Sequence, residues 1–312
     1  MAKETFAALG RDDEPFHEFM TGILDAYHTQ GKYDGPGLRA QALTLLGKYR
    51  PPEIPAGESA EEHAKGLVDL VERTPADKPS ESLQWLLNAL VLWPDCAESY
   101  MWVANTIEGR EHAAILMQPF YILAIEALRR RLGPEGAEDR PADVPEVRLL
   151  VKALVGLGEA FATSGYSGDG VPLYIEALRY DPTDREGARP RLALALAIRA
   201  DPEGAAAALS VAEPTPLVLY AKAIAAYCRG ESAGPARQAL MEARRANPYV
   251  TAIITGKRKM LGMLTGEPRF DEAQYVYLAI APAVKVVPGL VAWVKKETGV
   301  LSPPANRGKK RR

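Results

Sequence analysis

The sequence predicts an all-α protein built as a stack of about four to six helix pairs. Leucine and other apolar residues recur at spacings of three and four, as along Leu150, Leu154, Leu157 and Phe161, and this spacing places them on one helix face. Runs that alternate apolar and polar residues, which are typical of strands, are almost missing. A succession of helix, short turn, helix and proline returns with a period of about 34 residues, which is typical of a solenoid of helical hairpins.

The clearest repeat unit starts at Val151 and closes at a proline. The positions that define this kind of unit carry Leu154, the pair Leu157-Gly158, Phe161, Gly165, Tyr174, Ala177 and Pro182. Only one defining position departs, where Gly170 stands in place of alanine. The spacing predicts a first helix over 149–161, a turn over 165–170 and a second helix over 171–180.

Other units follow the same register less closely. A second match starts at Leu217, weaker ones start near His63 and at Ala97, and a degenerate unit spans 185–216. The resulting organisation has six regions: an N-terminal helical region at 1–62, degenerate repeats at 63–131, an irregular insertion at 132–148, repeats at 149–250, capping helices at 251–300, and a basic disordered tail at 301–312.

Composition excludes several classes of protein. With 47% hydrophobic and 25% charged residues over 312 positions, the chain is neither intrinsically disordered nor collagen-like. A net charge of −2 gives no strong overall attraction to nucleic acid or to anionic membranes. Cys96 and Cys228 are too few for a disulfide framework or a four-thiolate zinc site. No histidine spacing or phosphate-loop pattern indicates a bound metal or cofactor, so we expect neither.

The sequence also leads us to expect a cytoplasmic protein without membrane contact. The first residues lack the apolar segment of a signal peptide. The longest apolar stretch, residues 276–294, contains Pro282, Lys285 and Pro288, which argue against a membrane-spanning helix. Free thiols are typical of a reducing compartment.

In repeat register and in longer phrases the chain resembles the tetratricopeptide-repeat (TPR) family. The phrases that are similar to its suppressor of tumorigenicity 7-like subgroup are ALVLWPDCAESY at 89–100, YDPTDREGAR at 180–189, ANPYV at 246–250 and GKRK at 256–259. The resemblance covers residues 63–294 and implies a right-handed α-superhelix that serves as an interaction module without catalysis. A cysteine-rich zinc motif that ends some members of the subgroup is missing here, so no zinc dependence is carried over.

The resemblance further implies which side chains line the concave groove of such a superhelix. In this family, positions 2, 5, 9 and 12 of the first helix of each unit face inward. In the units starting at 97 and 151 the groove residues are therefore Glu98, Met101, Asn105, Glu108, Lys152, Val155, Glu159 and Ala162, and in the unit starting at 217 they are Val218, Ala221, Ala225 and Cys228. We do not expect a clamp for a C-terminal carboxylate. Among the positions that form such a clamp in this family, only Asn105 carries a suitable side chain.

An adaptor that binds a partner protein or peptide in this groove is the predicted function, with the partner and the oligomeric state left open. One alternative is a nucleic-acid-associated repeat protein that uses the basic tail, formed by Arg307, Lys309, Lys310, Arg311 and Arg312. Another is an enzyme whose site forms between the N-terminal helices and the repeats. A second basic run, residues 257–259, is interpreted as a helix end that complements the helix dipole.

Overall fold

The computed structural model describes residues 14–30, 34–74, 79–107, 113–133, 140–231, 234–261 and 264–299. Within these ranges the predicted all-α class is confirmed, and no strand is present. The helices are α1 (Glu14–Gln30), α2 (Gly35–Leu46), α3 (Ala60–Arg73), α4 (Pro79–Leu92), α5 (Ala97–Ile107), α6 (Ala113–Leu132), α7 (Pro145–Thr163), α8 (Ser167–Tyr180), α9 (Ala188–Ile198), α10 (Pro202–Leu209), α11 (Pro216–Cys228), α12 (Pro235–Ala246), α13 (Pro248–Ile254), α14 (Pro268–Val286) and α15 (Leu290–Glu297).

Proline starts many of these helices rather than breaking them. The helices whose first residue is proline are α4, α7, α10, α11, α12, α13 and α14. The first N–H groups of a helix have no intrahelical acceptor, so a residue without an N–H loses nothing there. Side-chain oxygens accept hydrogen bonds from the remaining first-turn N–H groups; they belong to Asp34, Ser59, Asp201, Thr215 and Asn247. A chain with 25 prolines therefore remains largely helical.

Contacts divide the described residues into two compact units. Unit 1 comprises the residues up to Ser164 together with 176–186. Its central helix is α6, which packs against α1, α2, α5 and α7 and is buried on nearly all sides from Phe120 to Ile125. The buried Gln118 of α6 is fully engaged: its Oε1 accepts a 2.6 Å hydrogen bond from the Tyr27 hydroxyl, and its Nε2 donates to Ser164 Oγ at 2.8 Å.

Unit 2 comprises residues 165–175 and the described residues from Gly187 onward. Here α9 and α10 form one hairpin and α11 and α12 form another, and the two hairpins pack through α9 and α11. The long helix α14 packs against both α9 and α11. Its buried residues, among them Phe270 and Ile280, belong to one apolar core with the residues of those two helices.

Three helices differ from the sequence prediction, two in where they begin and one in being present at all. Helix α8 begins at Ser167 instead of 171, because only Gly165, at φ +91°, takes the left-handed backbone that a tight turn needs. The glycines that follow it continue in helical conformation. Helix α7 begins at Pro145, inside the predicted insertion at 132–148. Helix α13 is absent from the prediction, although Asn247 and Pro248 form an N-cap and first-position pair.

Among the described residues, no helix taken by itself has both the length and the apolarity to cross a bilayer. The consecutive helices α14 and α15 reach that threshold only as a pair, and the pair is bent by 116°.

Candidate partner-binding face

A tyrosine of α6 links the two helices that carry the predicted groove residues of unit 1. The hydroxyl of Tyr121 donates a 3.1 Å hydrogen bond to Oδ1 of Asn105 in α5. On its other side the same ring lies against Gly156 of α7, where an added Cβ would stand 2.6 Å from Cζ of Tyr121. Glycine at position 156 therefore allows α7 to approach the tyrosine closely. We call Asn105, Tyr121 and Gly156 the Tyr121 seam.

Predicted groove residues lie on both sides of the Tyr121 seam. Met101 is one turn from Asn105 on α5, and Lys152 and Glu159 are one turn before and after Gly156 on α7, so each set shares a helix face. Asn105 and Lys152 are exposed, whereas Met101 and Glu159 are half-buried. We call Met101, Asn105, Lys152 and Glu159 the partner face. Its side chains carry an amide, an ammonium group, a carboxylate and a thioether.

The other predicted groove residues of unit 1 are buried or half-buried, bound to another residue of the chain, or outside the described residues. Val155 is only 5% exposed and belongs to the core of unit 1. Ala162 is half-buried near the end of α7. Glu98 is turned toward α6, where both carboxylate oxygens accept hydrogen bonds from Nη1 of Arg131 at 3.0 and 2.9 Å. Glu108 and the basic tail, with Arg307, Lys309, Lys310, Arg311 and Arg312, lie outside the described residues.

In unit 2 the corresponding face of α11 is covered by the chain itself. Val218, Ala221 and Ala225 are buried, and α14 packs across α9 and α11. A buried guanidinium joins these elements, since Nη2 of Arg191 in α9 donates to the Tyr275 hydroxyl of α14 at 2.9 Å. The repeat register places these α11 residues on a groove, but in the described structure they form core.

A charged network surrounds the turn between α4 and α5. Arg131 donates to Glu98 and, at 2.9 Å, to Oε1 of Glu146, while its guanidinium lies 4.8 Å from the ring centroid of Trp93. Asp95 forms ion pairs with Arg130 at 2.8 Å and with Arg39 at 3.2 Å. We call this set the Asp95–Arg131 network.

The network lowers the pKa values of two of its acids, Asp95 and Glu146. Burial by itself would raise the pKa of Asp95, but the hydrogen bonds and charges of Arg130 and Arg39 outweigh it, so the pKa lies below its usual value. Burial would likewise raise the pKa of Glu146, but a hydrogen bond from its own backbone N–H and the contacts with Arg131 together outweigh it. The network therefore holds charges in place between helices α2, α4, α5, α6 and α7, which is a structural role.

The surroundings of the two thiols raise their pKa values. Burial, reinforced by the nearby Glu98 carboxylate, raises the pKa of Cys96 to about 11. Burial also raises the pKa of the half-buried Cys228. A nucleophilic cysteine needs a lowered pKa, so neither geometry suits that chemistry. Among the described residues, no three His, Cys, Asp or Glu side chains are placed to hold a metal ion.

The thiols are expected to differ in reactivity toward an aromatic disulfide reagent such as DTNB at neutral pH. Cys228 should react slowly in the folded protein, and Cys96, which is fully buried, should react only after unfolding. Titration of the native chain, of Cys228→Ser and of the denatured chain measures this. If the folded Cys228→Ser variant reacted with DTNB as fast as the folded wild type, Cys96 would be accessible and its assignment to the core would be wrong.

Comparison with known proteins adds no family to this description. The chain matches no protein-family model, and no curated protein shows significant sequence similarity to it.

Proposed function

We propose that the chain is a non-catalytic adaptor of the TPR type, acting in the cytoplasm, that binds a peptide or partner protein on the partner face of unit 1. The observation that carries the proposal is the Tyr121 seam. Through it, the buried Tyr121 contacts both α5, which carries the exposed Asn105, and α7, which carries the exposed Lys152 one turn before Gly156. A surface that spans two helices around a fixed side chain is suited to recognising an extended segment.

The order of packing in unit 1 supports the proposed repeat type. Helix α6 packs against α5 before it and α7 after it, as the second helix of a hairpin does in a TPR stack. In unit 2, α9, α10, α11 and α12 pack in the same succession. Because α14 covers α9 and α11, the proposal assigns the open binding face to α5 and α7.

The residues of the partner face suit main-chain recognition better than catalysis. The Asn105 amide can donate from Nδ2 to a peptide carbonyl, since its hydrogen bond with Tyr121 uses only its oxygen. Lys152 supplies a positive charge at the opposite side of the seam, and Met101 supplies an adaptable apolar contact. The proposal therefore gives these side chains the role of contacts to a partner.

The proposal predicts that Lys152→Glu weakens partner binding by about tenfold or more, because it reverses a charge at an exposed edge of the face. The tagged chain captures proteins from its host at low and at high salt, and mass spectrometry identifies them. The captured protein is then purified, and its Kd is measured against the wild type, Lys152→Glu and Met101→Ala. The matched control is Lys285→Glu, which reverses an exposed lysine of α14 in unit 2.

Equal binding by wild type, Lys152→Glu and Met101→Ala would refute the partner face. Recovery of nucleic acid at low salt alone, abolished by deletion of residues 307–312, would favour the nucleic-acid alternative instead.

A further inference from the structure

The loop between α13 and α14 exposes large apolar side chains beside lysines. Leu264 is 86% exposed and Leu261 is 56% exposed, with Met260 at 37%. Lys257 and Lys259, which precede them, are also exposed. Single exposed leucines are common on protein surfaces, but several large apolar residues next to cations on one projecting loop are a recognisable kind of surface.

The middle residue of the basic run is not part of this surface. Arg258 lies over two aromatic rings, with its guanidinium 3.7 Å from the centroid of Phe270 and 4.6 Å from that of Tyr249. Its Nη2 also pairs with Glu267 at 2.7 Å. Arg258 therefore fastens the loop to the rest of unit 2, whereas the flanking Lys257 and Lys259 are exposed.

Hydrogen bonds fix the loop on both sides of its apolar residues. Oε1 of Gln274 accepts from the N–H of Leu261 at 2.7 Å. The carboxylate of Asp271 accepts from the N–H groups of Thr265 and Gly266, at 2.8 and 3.1 Å. Both leucines are therefore held next to ordered backbone, and their exposure is a property of the folded loop.

The local charge of the loop is positive although the chain as a whole is slightly acidic. Glu267 is engaged by Arg258, and Asp271 is engaged by backbone N–H groups at the base of the loop. Within the part of the chain that the structure describes, neither Lys257 nor Lys259 has an ion-pair partner. Two ammonium groups are thus available to an anionic ligand beside the exposed leucines.

We propose that Lys257, Lys259, Leu261 and Leu264 dock the protein on the surface of an anionic lipid bilayer. The leucines enter the boundary between head groups and acyl chains, and the lysines contact lipid phosphates, so that each side chain meets the solvent its chemistry favours. Charge complementarity favours a bilayer as the occupant. The lysines match the anionic head groups, and the leucines match the acyl chains that lie next to those head groups. This adhesion is distinct from the partner face and does not depend on it.

Vesicle co-sedimentation of the full chain tests the proposal, with vesicles of phosphatidylcholine alone and of phosphatidylcholine mixed with phosphatidylglycerol. We expect binding to the anionic vesicles that weakens with salt, and little binding to the neutral ones. Each of Lys257→Glu and Lys259→Glu should weaken binding by about fivefold or more. Leu264→Asp should weaken it by about tenfold or more, because it removes the most exposed apolar contact and adds a negative charge.

The matched control is Val211→Asp, which makes the same kind of change at a 71% exposed valine outside the loop and should leave vesicle binding unchanged. Circular dichroism melts confirm that all variants fold. The proposal is overturned if the wild type fails to sediment with anionic vesicles at low salt, or if Leu264→Asp binds them as well as Val211→Asp does. Loss of partner capture in Leu264→Asp without any vesicle binding by the wild type would identify the loop as a protein-docking site instead.

Discussion

Asn247→Ala is expected to lower the free energy of unfolding by about 3 kcal/mol, because it removes an N-cap and two further buried hydrogen bonds at once. Asn247 is fully buried between α12 and α13. Its Oδ1 accepts from the N–H of Tyr249 at 3.1 Å, and its Nδ2 donates at 2.8 Å both to the carbonyl of Arg269 and to Oε2 of Glu272. One amide therefore joins α12, α13 and the start of α14.

Removal of the Asn247 amide takes a hydrogen-bond partner away from three groups. The Tyr249 N–H loses its cap, and the Arg269 carbonyl and the Glu272 carboxylate lose a shared donor. The backbone carbonyl of Asn247, which accepts from the Tyr220 hydroxyl at 2.8 Å, would keep that bond only if the turn keeps its shape. The measurement is urea denaturation of the full chain, read as a shift of the transition midpoint at constant slope.

Thr215→Ala is the matched control, because the Thr215 hydroxyl caps α11 by accepting from the N–H of Val218 and, among the described residues, bonds to no other helix. It should cost about 1 kcal/mol, the value of a cap alone. Asn247→Asp keeps the acceptor for Tyr249 but places a carboxylate against Glu272, so we expect it to destabilise at least as much as alanine at neutral pH. Equal effects of Asn247→Ala and Thr215→Ala would show that the ties to α14 contribute nothing.

A helix start is accessible to the sequence where its signal is local, as Pro202 and Pro216 illustrate. A proline at the first helical position and a capping side chain before it are local signals, and local signals are complete within a few residues. The exception, α13, is instructive, because Asn247 and Pro248 carry the same signal. A repeat register that ends its unit at Pro248 treats this proline as a terminator, although it also starts the next helix.

The partner face was only partly accessible. The register names Asn105 and Lys152, but no spacing along the chain brings them to either side of Tyr121, since that depends on how α5 and α7 pack on α6. The register also cannot say what covers a helix face. Val155 and Ala221 occupy the same repeat position as the half-buried Met101, yet neighbouring helices bury both almost completely. The basic run at 257–259 is visible in the sequence, where it is interpreted as a helix end, but the structure places it in the α13–α14 loop beyond the end of α13 at Ile254.

Glu98 is a predicted groove residue, but its carboxylate is bound by Arg131 of the same chain. Arg131→Ala is expected to destabilise the protein by about 2–3 kcal/mol, since removing one member of a mostly buried ion pair leaves the others uncompensated. The Arg131 side chain is 11% exposed and serves Glu98, Glu146 and the Trp93 ring together. Without it, the two carboxylates face each other near an aromatic ring.

The adjacent Arg129→Ala is the matched control, because Arg129 is on the same helix and pairs with Glu176 at 2.9 Å but is 47% exposed. It should cost less than about 1 kcal/mol, as solvent screens an exposed pair.

The pH dependence of stability provides a second test. The pKa of Glu146 is lowered in the folded protein, so its contribution is present above its unfolded pKa and is lost as the pH falls through the folded value. The stability difference between wild type and Arg131→Ala should therefore shrink on acidification below about pH 4.5, the ordinary range of a glutamate. A difference no larger than that of Arg129→Ala, or one that does not change with acid, would mean that Arg131 acts through packing on Trp93 and not through its ion pairs.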